Sequence, residues 1–215
     1  MLNEIYMDNL RIFASAGTIK KGHFVYKNGR HGTIYVDAKP LFSNPKAISK
    51  LCYQIAERFE MSGVNVVTGP AENGNIVAGW VASHLSRFRL RKVDSVPTIK
   101  TLDNDFFIRP SFRRQIFSRK VLVVEDVLTT GSSARKVVDV VRSLGGNVVG
   151  LGALYNRGGK ISMGALGVQD SFVLVNVSHQ SWSAVDCPQC KNGIPVDLNL
   201  DHGREFMMRK QASVW

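Results

Sequence analysis

One stretch of thirteen residues, from Val121 to Ser133, constrains the fold of this chain more than any other. It begins with an apolar, β-branched run over Val121–Val124, which is typical of a strand buried on both faces. Glu125 and Asp126 follow where that strand is predicted to end, at an exposed corner. After them comes a loop of small and hydroxyl residues, and then an apolar pattern at helical spacing, formed by Ala134, Val137, Val138, Val141 and Leu144. The stretch therefore predicts a strand, an acidic corner, a loop and a helix.

The loop and the first turn of that helix are predicted to bind a phosphate group. Unpaired backbone N–H groups and the helix dipole both favour an anion there. The loop residues are Thr129, Thr130, Gly131, Ser132 and Ser133. The neighbouring carboxylates repel phosphate, so they fit ribose hydroxyls or a metal ion instead. An ordinary strand–helix corner is the alternative, but the whole stretch favours a site for a phosphorylated sugar.

Composition restricts the class of protein. The 215 residues are 44% hydrophobic and 21% charged, enough for one folded α/β domain. No apolar run reaches the length of a membrane span and no signal peptide is evident, so a cytoplasmic protein with no membrane partner is expected. The net charge of +11 fits either nucleic acid or a polyanionic small molecule. We favour the small molecule, because the cationic clusters lie near the proposed phosphate site in the sequence.

Strands and helices alternate along most of the chain. The further predicted strands are Asn65–Thr68, Val96–Ile99, Asn147–Tyr155 and Ser171–Val177. This order predicts a mostly parallel twisted sheet with helices on both faces, in a single domain over residues 1–215. Ligands of such sheets collect at the carboxyl ends of the strands. Because Gly69–Gly74, Lys100, Glu125–Ser133 and Arg157 all follow strands, we expect them to converge on one site.

The ends of the chain are predicted to form a smaller hood, from about residues 1–40 and the C-terminal tail. Residues 1–17 have a helical pattern, and a hairpin is predicted over His23–Tyr26 and Thr33–Val36. Asn44 followed by Pro45 is a helix start. Cys52 falls on the buried face of that helix, so it is expected to be a core residue.

Thr101–Lys120 is a long insertion before the central strand, rich in arginine and phenylalanine, and includes Arg109. Long segments of this kind are often active-site lids, so a flexible lid is predicted over about residues 101–119. A surface β-hairpin is the alternative, and it is compatible with a lid. In the tail, Cys187 and Cys190 are weak zinc candidates, since zinc prefers four ligands. His179, His202 or a second copy of the chain would have to complete that site, and reduced thiols without metal are the favoured interpretation.

Several of these motifs together resemble type I phosphoribosyltransferases, especially the orotate phosphoribosyltransferase group. The motifs are the Asp126–Ser133 loop, the Gly-His-Phe-Val-Tyr opening at 22–26, the Asn156–Gly158 turn and the Cys-Pro-Gln-Cys tail. The resemblance implies transfer of 5-phosphoribose from PRPP to a base, most simply orotate, with release of pyrophosphate. It also implies Mg²⁺ as cofactor and a homodimer.

The resemblance also implies roles for individual residues. Glu125 and Asp126 would hold the ribose hydroxyls, and Thr129–Ser133 the 5-phosphate. Pyrophosphate would be contacted by Ala71, Glu72, Asn73 and Lys100, and covered by lid arginines such as Arg109. Lys27, Tyr35 and Arg157 would bind the base. The group's usual lid is lysine-rich and ends in a His-Gly pair, whereas this lid contains no histidine, which leaves open a different base. The net charge of +11 leaves open a non-catalytic regulator that binds PRPP or nucleic acid.

Overall fold

The computed structural model describes residues 2–90, 92–158, 162–200 and 202–212. The helices in this part of the chain are α1 (Leu2–Ser15), α2 (Lys39–Phe42), α3 (Pro45–Arg58), α4 (Asn73–Arg89), α5 (Arg113–Ile116), α6 (Ser132–Ser143), α7 (Met163–Leu166), α8 (Pro188–Lys191) and α9 (Gly203–Ala212). The strands are β1 (Ile19–Val25), β2 (His31–Val36), β3 (Val66–Thr68), β4 (Asp94–Ser95), β5 (Ile99–Lys100), β6 (Phe106–Phe107), β7 (Lys120–Leu128), β8 (Asn147–Asn156), β9 (Ser171–Asn176) and β10 (Ser181–Trp182). Short 3₁₀ helices cover Glu60–Ser62 and Pro110–Phe112.

These elements form two compact units. The first consists of the described residues up to Ala16 together with Ala38–Ser178. The second consists of Gly17–Asp37 and the described residues from His179 onward. The hairpin and the tail that were predicted to form a hood thus cluster together, whereas α1 belongs to the first unit.

A five-stranded parallel sheet, in the order β4-β3-β7-β8-β9, forms the centre of the first unit. Val121 and Val123 of β7 pack with the apolar stripe of α6. On β8, a Cβ added to Gly152 would lie 2.6 Å from Ile55 of α3, so the opposite face is covered as well. Because both faces are buried, the central strand needs continuous apolar residues, and the predicted α/β fold is confirmed.

Two strand predictions were wrong in extent. β7 does not end at the two acids but continues to Leu128, because Val127 and Leu128 keep pairing with β8. Val96–Ile99 is not one strand: only Asp94–Ser95 joins the parallel sheet, while Ile99–Lys100 pairs antiparallel with Phe106–Phe107. Pro97 lies between the two pieces and has no N–H to donate to a continuous ladder.

The second half of the predicted lid packs on the sheet and is not a free loop. Phe106, Ile108 and Ile116 are buried in the same cluster as the α6 stripe. The free energy gained by burying these apolar side chains exceeds the conformational entropy that the segment loses when it becomes ordered. Residues 102–105, at the tip between β5 and β6, are exposed.

The predicted helices of the first unit are confirmed, including α3, where the Asn44 side chain accepts a hydrogen bond from the Ala47 amide. Cys52 is fully buried on that helix, and burial raises the pKa of its thiol far above the usual range, as suits a core residue. Among the described residues, no helix combines the length and the apolar character that crossing a bilayer requires.

The second unit contains the predicted hairpin, with β1 and β2 antiparallel and Val25 opposite His31. The sequence did not reveal β10, which adds to the free side of β2. The tail then runs beside β1, since the amides of Asp197 and His202 donate to the carbonyls of His23 and Val25.

Candidate active site

Two adjacent carboxylates are buried near the carboxyl end of the central strand. Glu125 is 7% exposed and Asp126 is 9% exposed, so the predicted exposed corner is in fact buried. Burial, and secondly repulsion by Asp126, holds the pKa of Glu125 well above its usual range. Among the residues that the structure describes, no lysine or arginine forms an ion pair with either acid. Such an arrangement destabilises a protein, which makes it a candidate for function.

The loop after β3 reaches the acids through one side chain. Asn73, the first residue of α4, donates from Nδ2 to Oδ2 of Asp126 at 2.8 Å. Ala71 is half-buried and Glu72 is exposed beside it. The structure therefore places the predicted pyrophosphate loop and the predicted ribose acids in contact.

Thr98 braces this loop, and sequence reasoning missed it. Its Oγ1 donates to the Gly69 carbonyl at 2.7 Å and accepts from the Ala71 amide at 3.0 Å. Its backbone N–H and carbonyl bond the side chain of Asn75, at 3.0 and 2.9 Å. A buried threonine just beyond a strand is a weak signal, because its partners lie more than twenty positions away.

The hydroxyl-lined loop lies at the start of α6. Gly131 has a φ of +77°, a left-handed conformation that favours glycine. The Ser132 amide donates to Oγ1 of Thr130 at 3.3 Å, and the Arg135 amide donates to the Gly131 carbonyl to begin the helix. Thr130, Ser132 and Ser133 are exposed, so the end of the helix is open to an anion.

Arg157, beyond the end of β8, lies against the same loop. Its Nε donates to Oγ1 of Thr129 at 3.2 Å, and its amide donates to the Leu128 carbonyl at 2.9 Å. A Cβ on Gly158 would stand 1.6 Å from the Thr129 carbonyl oxygen, so this approach of the two loops requires glycine. The segments after β3, β7 and β8 are thus brought together, as the sequence predicted.

Two further predicted cations lie just before the lid segment and within it. Lys100 belongs to β5, two residues after the bracing Thr98, and is exposed. Arg109 precedes the 3₁₀ helix at Pro110–Phe112 and is also exposed. Their contact with a substrate stays a prediction.

The remaining candidates belong to the second unit. Lys27 is exposed in the hairpin turn, and the Tyr35 ring lies against Phe24 with centroids 5.6 Å apart. Cys187 and Cys190 do meet two histidines, but these are His23 and His31. His202 is bonded to Glu205 instead, and neither it nor His179 joins the cluster that the described residues form.

In the first unit, one edge of the sheet therefore offers three kinds of group. Buried carboxylates can accept hydrogen bonds from sugar hydroxyls, and an open helix end can bind a phosphate. The neighbouring loop can present backbone and amide donors to a second anion. This combination suits a sugar that has phosphate groups at two positions.

Comparison with known sequences agrees with this chemistry. Residues 37–182 match the family model described as "Phosphoribosyl transferase domain". The orotate phosphoribosyltransferase of Desulforamulus reducens is 37% identical over 189 residues, which cover 86% of this chain and 91% of the relative. That of Pelotomaculum thermopropionicum is 39% identical over 187 residues, 86% of this chain and 92% of the relative.

Solved structures share the fold. The orotate phosphoribosyltransferase of Mycobacterium tuberculosis, in complex with inorganic phosphate, superposes with a TM-score of 0.61 at 22% identity, over 81% of this chain and 95% of that one. The enzyme from Aeropyrum pernix gives the same TM-score and identity over 78% and 93% of the two chains.

Proposed function

Because this chain belongs to the phosphoribosyltransferase family, we infer that it transfers the 5-phosphoribosyl group of PRPP to orotate. The products are orotidine 5′-phosphate and pyrophosphate. The observation that supports this most directly is the pair of buried carboxylates, unmatched by any cation of the described chain, beside the open end of α6. The relatives named for orotate, at 37% and 39% identity over most of their length, support the choice of base.

In this reaction the bond from C1 of the ribose to the pyrophosphate oxygen breaks, and the electron pair leaves with pyrophosphate. A bond from C1 to a ring nitrogen of orotate forms, and the proton on that nitrogen is released to solvent or to the pyrophosphate. The protein contributes mainly by positioning the reactants and stabilising the departing charge. We assign Glu125 and Asp126 to the ribose hydroxyls and Thr129–Ser133 to the 5-phosphate.

The departing pyrophosphate is assigned to the braced loop. Ala71, Glu72 and Asn73 lie on it, and the exposed side chains of Lys100 and Arg109 are the cations proposed to cover the anion. Asn73 already links this loop to Asp126, so the groups assigned to pyrophosphate and to ribose stay in fixed relation.

Lys27, Tyr35 and Arg157 are assigned to the base on the resemblance. Arg157 has the chemistry to pair with the carboxylate of orotate, since a guanidinium matches a carboxylate in geometry and charge. The bond from Nε to Thr129 fixes the stem of this side chain next to the phosphate loop.

Mg²⁺ is the cofactor that the family implies, and the residues present fit it. Magnesium prefers oxygen ligands and binds through one or two carboxylates together with substrate phosphates. Glu125 and Asp126 are such carboxylates, with no cation of the described chain paired to them. When bound, the ion would offset the negative charge of the pyrophosphate.

The test is a transfer assay with the full chain. Incubation with PRPP, Mg²⁺ and orotate is expected to consume orotate and release an equal amount of pyrophosphate. Uracil and adenine in place of orotate serve as controls for the base, because the lid lacks the histidine that the resemblance leads one to expect. Absence of pyrophosphate release with orotate, at enzyme concentrations comparable to substrate, contradicts the assignment.

A further inference from the structure

Two histidines and two cysteines of the second unit converge on one point. His23 comes from β1 and His31 begins β2. Cys187 immediately precedes α8, and Cys190 lies within that helix. Their ligand atoms all lie within 4.8 Å of one another. His23 and Cys187 are 164 positions apart in the chain, so folding alone brings these groups together.

The distances between nitrogen and sulfur match those of a tetrahedral zinc site. Zinc–nitrogen and zinc–sulfur bonds of about 2.05 and 2.3 Å place the two ligand atoms about 3.5 Å apart across a tetrahedral angle. Nε2 of His23 lies 3.5 Å from Cys187 Sγ and 3.6 Å from Cys190 Sγ, and Nδ1 of His31 lies 3.4 Å from Cys190 Sγ. The two nitrogens are 2.8 Å apart, a gap that a zinc ion would widen to about 3.3 Å.

The tautomer of His23 is fixed in the form that a metal needs. Its Nδ1 lies 2.7 Å from the carbonyl oxygen of Ile194, which can only accept, so this nitrogen carries the proton. Nε2 therefore presents a lone pair to the cluster. A carbonyl bonded to the distal ring nitrogen is the usual support of a metal-binding histidine.

One lone pair faces three groups in this cluster. Nε2 of His23 has His31 Nδ1, Cys187 Sγ and Cys190 Sγ as neighbours. A single lone pair accepts one good hydrogen bond, so hydrogen bonding does not explain why all three groups point at it. A cation at the centre explains this arrangement, because each of the four atoms can donate a lone pair to it.

We propose that His23, His31, Cys187 and Cys190 bind one zinc ion. Binding releases the protons of both thiols, and the two thiolates balance the charge of the ion. Thiolate and imidazole together select zinc over magnesium or calcium. Four protein ligands leave no position for water or substrate, so the site is structural and lies outside the proposed transfer chemistry.

The second unit has a physical need for such a cross-link. Among its described residues, the buried apolar side chains are few: Phe24, Val25, Val36 and Cys187. Gln189 also ties the cysteine turn to β1, through a bond of 3.0 Å to the Gly22 carbonyl. Small units with limited cores are commonly held together by a metal or disulfides.

The first measurement is the zinc content of the purified full chain after dialysis, with one ion per chain expected. Metal-free chain is then titrated with Co²⁺, which reports thiolate ligands by charge-transfer bands and tetrahedral geometry by intense visible bands. Cys190→Ser is expected to lower zinc content by more than about tenfold, since even changes to the supporting shell weaken affinity 10- to 100-fold. His23→Cys is expected to retain zinc, because cysteine is also a zinc ligand.

Two matched variants serve as controls. Cys52→Ala removes the one cysteine outside the cluster, and His202→Gln removes a histidine that is bonded to Glu205. Both are expected to keep full zinc content and the cobalt spectrum.

Alkylation followed by peptide mapping tests the site in the unmodified chain, should a variant fail to fold. Zinc is expected to protect Cys187 and Cys190 from iodoacetamide at least tenfold relative to the chelated protein. The proposal is overturned if folded chain retains no zinc and gives no thiolate bands with Co²⁺, or if the two cysteines are isolated as a disulfide. Because none of these readouts measures transfer, their failure leaves the proposed activity untouched.

Discussion

Thr98→Val tests whether the position of the donor-binding loop affects PRPP binding beyond its effect on the stability of the fold. Valine has nearly the shape of threonine but removes the hydroxyl that bonds both the Gly69 carbonyl and the Ala71 amide. Thr98 is 2% exposed, so water does not readily replace the lost partners. The backbone bonds from residue 98 to Asn75 remain, and the main chain at this position is expected to stay in place.

The size of the effect follows from the two groups that lose their partner. An unsatisfied buried polar group costs about 1 to 3 kcal/mol, and the Ala71 amide is only partly buried, so the free energy of unfolding is expected to fall by about 2 to 4 kcal/mol. The released loop no longer presents Ala71 and Asn73 in a fixed position. We expect the KM for PRPP to rise about tenfold, equivalent to about 1.4 kcal/mol of binding.

Thr68→Val is the matched control. The Thr68 hydroxyl is also fully buried and donates to the Val96 carbonyl at 2.7 Å, but it makes no bond to the loop. Thr68→Val is expected to lower the free energy of unfolding by about 1 to 3 kcal/mol and to change the KM for PRPP by less than about twofold. Urea unfolding followed by circular dichroism, together with initial rates over a range of PRPP, measures both quantities. If the two variants raise KM equally, the hydroxyl of Thr98 does not brace the donor loop.

Further predictions concern the acids, the loop contact and the assembly. Asp126→Asn is expected to lower kcat/KM for PRPP about 10- to 100-fold, the loss of a charged hydrogen-bond acceptor, while urea unfolding shows unchanged or higher stability because a buried charge is gone. The pKa of Glu125 is raised in the folded state, so its contribution to stability is fully present at acid pH and is lost as pH rises toward that pKa; Glu125→Gln should flatten this part of the stability–pH curve. Gly158→Ala puts a Cβ 1.6 Å from the Thr129 carbonyl and should lower the melting temperature and weaken PRPP binding together, at a cost of about 1 to 3 kcal/mol. Light scattering should give the mass of a homodimer, which the resemblance alone implies, and a monomer at all concentrations would contradict it.

Features of the fold that depend on residues close together in the sequence were predictable from the sequence. The apolar run before Glu125 and the helical spacing after Ser133 each specify one element, and a strand and a helix are present at these places. The end of β7 was misplaced, because pairing with β8 decides where a strand stops and that partner is not visible locally. The bracing role of Thr98 was missed for the same reason, since its partners come from a distant loop.

The histidines that lie beside the two cysteines were also not predictable from the sequence. The Cys-x-x-Cys spacing made the two cysteines candidate zinc ligands, and the histidines considered to complete the site were His179 and His202. The structure selects His23 and His31 instead, because the tail runs back along β1 and aligns distant segments. Residue spacing alone contains no information about that return of the chain.

The order of strands in the sheet also sets the order of the groups to which the parts of the proposed donor are assigned. The loop after β3, the acids of β7 and Arg157 after β8 lie side by side in that order, because β7 is paired to both neighbours. The assigned positions of pyrophosphate and ribose follow the first two, and the 5-phosphate lies at the α6 end beside Arg157. If PRPP were shifted along this edge so that a phosphate group took the place of the ribose, that phosphate would lie against the buried carboxyl groups of Glu125 and Asp126, which no cation of the described chain offsets. Since repulsion between like charges is strongest where water is excluded, we expect the ribose, and neither phosphate group, to lie beside the two acids.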